Sequence, residues 1–363
     1  MIYIEEKHKK MLFLSYYTLL HCLVDFCCIY YMSQIVVPLS FELGIEQYLL
    51  YVILYNFIAF AGQLPVGILG DFIQRNHYMV AAGLICLIFV YIGTFFGLPI
   101  FPAVLFLGIG NACFHVGGGR EAMEYRENAC QPVGIFVATG AFGVFGGRWI
   151  SGQGMNWILA MSIVLVAALL IQAVLCYTAA EKKQIKKGFS FKYKQGSWSI
   201  LMAVCCILVV VLRSFAGTVF KFSWSSGWLA LLMTIGIVLG KAVGGILADR
   251  FGVRQTVLIS LTCSAIFFLG ANKIPIMGLL AVFLFNMTMP ITLSMLGMHF
   301  PEAKGTVFGA LTFAIFVGLI PSYYCNITQF SQTWIYVMLS AASLLLLYLP
   351  LVLAKRRSGG ESL

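Results

Sequence analysis

Charge is what this sequence has least of. Asp, Glu, Lys and Arg make up 10% of its 363 residues, where a soluble globular domain carries about 25%. With 61% hydrophobic residues and a mean hydropathy of +0.95, an ordinary water-soluble globule is excluded. Period-two alternation of apolar and polar residues is also missing, which excludes an outer-membrane barrel. The eleven cysteines contain no C-x-x-C pair. Cys27, Cys28, Cys205 and Cys206 sit inside apolar runs, as reduced thiols packed as small hydrophobes do, so no disulfide or metal framework is implied. There is no nucleotide-binding loop, which disfavours an ATP-driven pump. No nucleophile–base constellation is present either, so the chain does not read as an enzyme, and no cofactor is expected.

What the chain has instead is long apolar runs. Many exceed 18 residues, enough to cross a hydrocarbon layer of about 30 Å as a helix. Cut at the polar breaks, they give twelve spans near 11–34, 48–70, 78–97, 100–117, 132–150, 156–178, 199–220, 227–248, 255–272, 275–297, 305–325 and 333–354. The expected fold is an all-α membrane protein of twelve transmembrane helices. The breaks alternate in character. One set carries Lys7 to Lys10, Arg75, Arg120 with Arg126, Lys182 to Lys194, Arg250 with Arg254, Lys304, and Lys355 to Arg357; the other is nearly free of basic residues. Basic loops stay in the cytoplasm, so both termini are expected inside a cell membrane. The net charge of +10 then describes topology and does not call for nucleic acid as a partner. The first run lacks a small-residue cleavage site and reads as a retained helix. The basic stretch at 181–198 separates an N-terminal half at 1–180 from a C-terminal half at 199–354, with a tail at 355–363.

A repeat supports that division. Gly62 to Arg75, GQLPVGILGDFIQR, returns as Gly240 to Arg254, GKAVGGILADRFGVR, and the shared acids Asp71 and Asp249 lie 178 residues apart. That period is about half the chain and too long for a solenoid repeat. The pattern resembles the loop after the second helix of major facilitator superfamily transporters, and its weaker repeat after the eighth. The second copy matches better; the first keeps Gly67, Asp71 and Arg75 but has Phe72 and Gln74 where Arg and Gly are usual. The resemblance implies two six-helix halves rocking about a central site. It also implies a conformational gate in which Gly67, Asp71, Arg75, Gly245, Asp249, Arg250 and Arg254 take part. His115 and Arg120, near the expected end of the fourth span, read as part of the same gate; Gly117 to Gly119 beside them permit either close helix approach or local unwinding, and a gate hinge is the preferred reading.

Ionisable side chains inside a bilayer are costly and point to function. Outside the loops there are six: His21, Asp25, His115, Arg148, Arg213 and Lys241. His21 and Asp25 are four apart, hence on one helix face. Counted from Met11, they lie about 15 and 21 Å into the first span. Two readings are open: a proton-coupling pair or substrate contact, and a fixed packing pair. Arg213 lies at a similar depth in the seventh span. A guanidinium there needs a carboxylate or an anionic substrate, so it is either ion-paired with Asp25 or an anion anchor. Lys241 and Arg148 are further candidate substrate contacts, with membrane-interface anchoring as the alternative for each.

Three short pieces narrow the resemblance. His21-x-x-x-Asp25, Gly108-x-Gly110 followed by Phe114-His115, and the fifth span with Gly140, Gly143, Gly146 and Gly147 are similar to the fosmidomycin-resistance branch of the superfamily. This chain has Val116-Gly117 where that branch has Pro-Glu, and its fifth span lacks the proline common in proton-coupled exporters. The resemblance implies a secondary active transporter of a small polar or anionic organic molecule, with a proton as coupling ion, acting as a monomer. Export, as in antiport linked to drug resistance, is preferred over uptake. An uptake carrier, or a non-transporting receptor or scaffold on the same fold, is the alternative.

Overall fold

The computed structural model describes residues 2–178 and 197–357. Most of the linker expected at 181–198, and the tail from 358 on, lie outside the described residues. Within a bilayer each backbone amide must find its partner inside its own segment, and apolar segments answer that demand as helices. Among the described residues eleven helices are long and apolar enough to cross a membrane, and a twelfth is shorter. They are α1 His8–Glu42, α2 Ile45–Ile73, α3 Asn76–Phe96, α4 Ile100–Tyr125, α5 Gln131–Ser151, α6 Ile158–Tyr177, α7 Ser199–Val219, α8 Gly227–Phe251, α9 Val253–Phe268, α10 Pro275–His299, α11 Lys304–Tyr324 and α12 Thr333–Leu353. The twelve expected spans are therefore all helical, and the fold class is the one the sequence implied.

The ends follow local chemistry. Pro275 opens α10, where a missing N–H costs nothing. Gly252 sits at φ +91° between α8 and α9, a conformation open to glycine. At the matching turn after α2 the first repeat places Gln74, in the left-handed region at φ 55°, where an L side chain is strained. α1 and α2 each widen into a π-helical turn, at Met32–Val36 and Phe57–Ala61.

The described chain forms two compact units. The first takes Met1–Tyr125, Thr139–Ser190 and Glu302–Gly309; the second takes Arg126–Ala138, Phe191–Pro301 and Ala310–Leu363. The beginning of α5 belongs to the second unit and the beginning of α11 to the first. The reason is local: each helix start is bound by an acid of the repeat, as described below. Helix pairings recur between units. In the first, α3 packs on α4 and α6, and α1 on α4; in the second, α9 packs on α10 and α12, and α7 on α10. Buried aromatics fill both. Tyr91 donates its hydroxyl to the Cys27 carbonyl at 2.7 Å in the first unit. Phe220, Phe268, Phe285 and Tyr336 pack ring to ring in the second.

Candidate functional site

In the first unit, α1 and α4 bring their polar residues together. His21 and Asp25 share one face of α1, and Asn111 and His115, also four apart, share one face of α4. His21 Nε2 lies 2.9 Å from His115 Nε2 and 3.3 Å from Asp25 Oδ2. His115 Nε2 lies 3.4 Å from Asp25 Oδ1. Asn111 donates through Nδ2 to Asp25 Oδ1 at 3.4 Å. The His115 Nδ1 atom is 2.9 Å from the Asn111 carbonyl. A carbonyl can only accept, so Nδ1 carries the hydrogen, and neutral His115 turns its Nε2 lone pair toward the cluster. The middle of α5 closes against it. A Cβ on Gly140 would fall on the Asp25 carboxylate and the His21 ring, so only glycine lets the α5 backbone come this close.

His115 is therefore not at the end of its helix, as the sequence suggested. α4 continues ten residues beyond it, to Tyr125, and His115 belongs to the same cluster as His21 and Asp25. Gly117 to Gly119, open in the sequence to close helix approach or to local unwinding, are in the first arrangement here. These glycines stay helical and buried: Gly117 abuts Val80 and the Asn76 carbonyl, and Gly119 abuts the Phe308 ring. Their small size serves close packing.

The second unit places Arg213 at the corresponding pairing, α7 with α10. Its Nη2 donates to Thr288 Oγ1 at 2.7 Å and its Nη1 to Thr292 Oγ1 at 3.4 Å. Its Nε is enclosed without a hydrogen-bond partner. Among the described residues no carboxylate lies within ion-pair distance of Arg213. Asp25, in the first unit, has its ion-pair contacts with the two histidines. Lys241 is half-buried and donates to the Val137 carbonyl of α5 at 3.2 Å, tying α8 to α5 within the second unit. Arg148 is exposed in the last turn of α5 and joins neither cluster.

The repeated acids bind helix starts. Asp71 is 1% exposed. Its Oδ1 accepts from the Gly305 amide at 2.8 Å; its Oδ2 accepts from the Thr306 amide at 2.7 Å and the Thr306 hydroxyl at 2.8 Å. The first turn of α11 thereby gains acceptors for its free amides and a negative charge at its positive end. Asp249 does the same for α5, accepting from the Cys130 amide at 2.7 Å and the Gln131 amide at 3.1 Å. Gly67 and Gly245, four residues before each acid, let the carbonyls of Gly305 and Cys130 approach.

The arginines that meet these acids are not those of the repeat. Arg120 Nε lies 3.3 Å from Asp71 Oδ1, its Nη2 donates to Glu124 at 2.9 Å, and its Nη1 donates to the Gly70 carbonyl. Arg126 Nη2 donates to Asp249 Oδ2 at 2.5 Å. Arg75 is exposed and stacks on Tyr78, Arg250 stacks on Phe251, and Arg254 donates to the Tyr348 hydroxyl at 2.8 and 3.1 Å. Beside Asp249, burial pushes the Cys130 thiol up to about 12, which leaves it an unreactive packing group.

Thr288, Thr292, Asn111 and Arg126 were not singled out from sequence as site residues. A pair of polar residues four apart in an apolar helix was the available signal for the first three.

The sequence matches no protein-family profile and no curated protein. Solved structures do resemble it. The human organic anion transporter MFSD10 (TETRAN) aligns with a TM-score of 0.69 at 13% identity, over 95% of this chain and 99% of its own. A variant of the Escherichia coli fucose:proton symporter FucP aligns with a TM-score of 0.61 at 14% identity, over 92% and 98%. A bacterial homologue of the iron transporter ferroportin, in an outward-facing state with soaked iron, aligns with a TM-score of 0.58 at 14% identity, over 95% and 99%. At these identities the likeness is one of architecture. Twelve helices in two units with recurring pairings, over nearly the full length of both partners, give this chain the fold of the major facilitator superfamily transporters.

Proposed function

We propose that the protein is a secondary active transporter that moves a small organic anion by alternating access, with Arg213 as the anion's anchor. The observation that carries this reading is the guanidinium itself. It is held by two threonine hydroxyls, its Nε is enclosed and unpartnered, and among the described residues no carboxylate neutralises it. A half-buried guanidinium inside an apolar bundle without a counter-charge is costly, and an anionic ligand removes the cost. The planar fork of Arg suits a carboxylate or phosphonate, which it grips through two hydrogen bonds. Thr288 and Thr292 aim that fork.

In this reading the His21–Asp25–His115 cluster is the site of the coupling cation. TETRAN is an organic anion transporter and FucP a fucose:proton symporter, so the architecture serves coupled carriage of small organic solutes. The resemblance to the fosmidomycin-resistance branch supports export, acting in the cell membrane with both termini cytoplasmic. Asp71 and Asp249 with Arg120 and Arg126 act as latches whose release accompanies the change of access.

The test is a set of ligand-induced thermal shifts on purified protein, screened against carboxylates, phosphonates, neutral sugars and organic cations. Stabilisation by anions that disappears in Arg213→Gln supports the reading. Arg213→Lys keeps the charge but loses the fork and should weaken binding by about 1–3 kcal/mol. Anion stabilisation that survives Arg213→Gln unchanged would refute it, as would a response confined to neutral or cationic ligands.

A further inference from the structure

We propose that His21, Asp25 and His115 form a binding site for one divalent first-row transition-metal ion. The inference rests on the geometry of the cluster; it uses the transporter reading only for the ion's role, as the coupling cation.

Donor atoms of three side chains converge from two helices: the two imidazole Nε2 atoms are 2.9 Å apart, His21 Nε2 is 3.3 Å from Asp25 Oδ2 and His115 Nε2 is 3.4 Å from Asp25 Oδ1, and one donor atom from each residue lies within 4.8 Å of the others. Ligands about 2.05 Å from a tetrahedral ion stand about 3.3 Å apart, and ligands about 2.1 Å from an octahedral one about 3.0 Å apart. The observed edges span those two values.

The electron pairs are aimed as well as spaced. His115 donates its Nδ1 hydrogen to the Asn111 carbonyl, the outer bond that metal-bound histidines make to hold their tautomer and ring angle. Its Nε2 lone pair therefore faces His21 and Asp25. Among the two imidazole nitrogens and the two Asp25 oxygens that converge, at most one atom, His21 Nε2, brings a hydrogen when both imidazoles are neutral. The His115 lone pair and the Asp25 carboxylate would then face each other at 3.4 Å, an arrangement that a cation between them relieves.

Donor type selects the ion. Two imidazole nitrogens and one carboxylate suit zinc, iron, cobalt or manganese, whereas calcium and magnesium prefer all-oxygen shells. The side chains of Asp25 and His115 keep 15% and 12% exposure. The cluster is thus not sealed, and a fourth position stays open to water or to a substrate oxygen, as three-ligand metal sites require. The α5 backbone at Gly140 walls the other side.

The experiment uses the purified full-length protein in detergent, with accessible thiols alkylated because eleven cysteines are present. Zinc is titrated by calorimetry, and cobalt is titrated by its visible ligand-field bands. One zinc per chain and a cobalt spectrum of low coordination are expected. His115→Ala should weaken zinc binding roughly 100-fold or more. His115→Cys, prepared without alkylation and compared with unalkylated wild type, exchanges one zinc ligand for another and should add a thiolate-to-cobalt charge-transfer band in the near ultraviolet that wild type lacks, placing residue 115 on the metal. If one variant fails to fold, the other and Asp25→Asn still place the metal, and a wild type that binds neither metal refutes the proposal without them. No binding of zinc or cobalt at micromolar concentration overturns the proposal and leaves a hydrogen-bonded network. Equal affinity in wild type, His115→Ala and Asp25→Asn overturns it too. Anion-induced thermal shifts through Arg213, measured in the same samples without metal, report separately on the transport reading.

Discussion

Asp71→Asn removes one charge and changes one acceptor into a donor, and the structure states where the damage falls. Both carboxylate oxygens are occupied by donors, Gly305 N–H on Oδ1 and Thr306 N–H with its hydroxyl on Oδ2, and the Arg120 guanidinium lies at ion-pair distance from Oδ1. An asparagine can keep its oxygen on only one side. The better choice faces Gly305 and Arg120. Its NH2 then meets Thr306, whose hydroxyl can turn to accept, but whose buried amide loses its partner. An orphaned buried donor costs about 1–3 kcal/mol, and the lost charge at the start of α11 about 0.3–2 kcal/mol more. Taken near the middle of each range, the sum is about 3 kcal/mol, or roughly 100-fold in a local opening equilibrium at 1.4 kcal/mol per tenfold.

The same change at Asp249 should cost less, because that side chain is partly open to water and its Arg126 partner is 53% exposed. There water can replace the lost acceptor, and about 1 kcal/mol, near fivefold, is expected. Hydrogen exchange followed by mass spectrometry reads both effects in peptides spanning residues 300–310 and 128–136. The expected result is a large loss of protection at the start of α11 in Asp71→Asn, and a small one at the start of α5 in Asp249→Asn. Equal losses, or undiminished protection at Thr306, would refute the reasoning about buried acceptors.

Gly140→Ala should press a methyl group into the Asp25 carboxylate and the His21 ring, costing about 1–3 kcal/mol by overpacking and disabling the cluster. Gly146→Ala, whose methyl would meet only the Phe26 ring at 3.2 Å, is the milder comparison, and melting midpoints with solute uptake separate the two. Gln74→Gly should stabilise the protein by up to about 1 kcal/mol, since it relieves a left-handed residue; an unchanged melting midpoint would count against that strain. Replacing Thr288 and Thr292 together by Val should release the Arg213 fork and weaken anion stabilisation at least as far as Arg213→Lys does. Arg148→Ala should leave stability within about 0.5 kcal/mol and leave ligand response intact, because Arg148 is exposed at a helix end.

Much of this protein was determined by sequence alone, for a physical reason. A bilayer forces apolar segments of sufficient length into helices, so composition and run length sufficed for the twelve elements. The repeated G-I-L-(G/A)-D piece marked two related halves in the same way. A fixed rise per residue also put His21 and Asp25 on one face without any tertiary information. What only the tertiary structure decided was which helices meet, because apolar faces carry little record of their partners. Arg120 and Arg126 take the repeated acids, while Arg75, Arg250 and Arg254 turn to aromatic neighbours. The acids reach across to the starts of α11 and α5, which redraws the unit boundary at 126–138 and 302–309. His115 looked terminal because Arg120 and Glu121 suggested that the helix had ended. A helix that continues through a buried Arg–Asp–Glu contact shows no such continuation in its hydropathy. Its place beside His21 and Asp25 depends on how closely α1, α4 and α5 pack, and that distance is decided by Gly140 and its neighbours only once the three backbones are in contact.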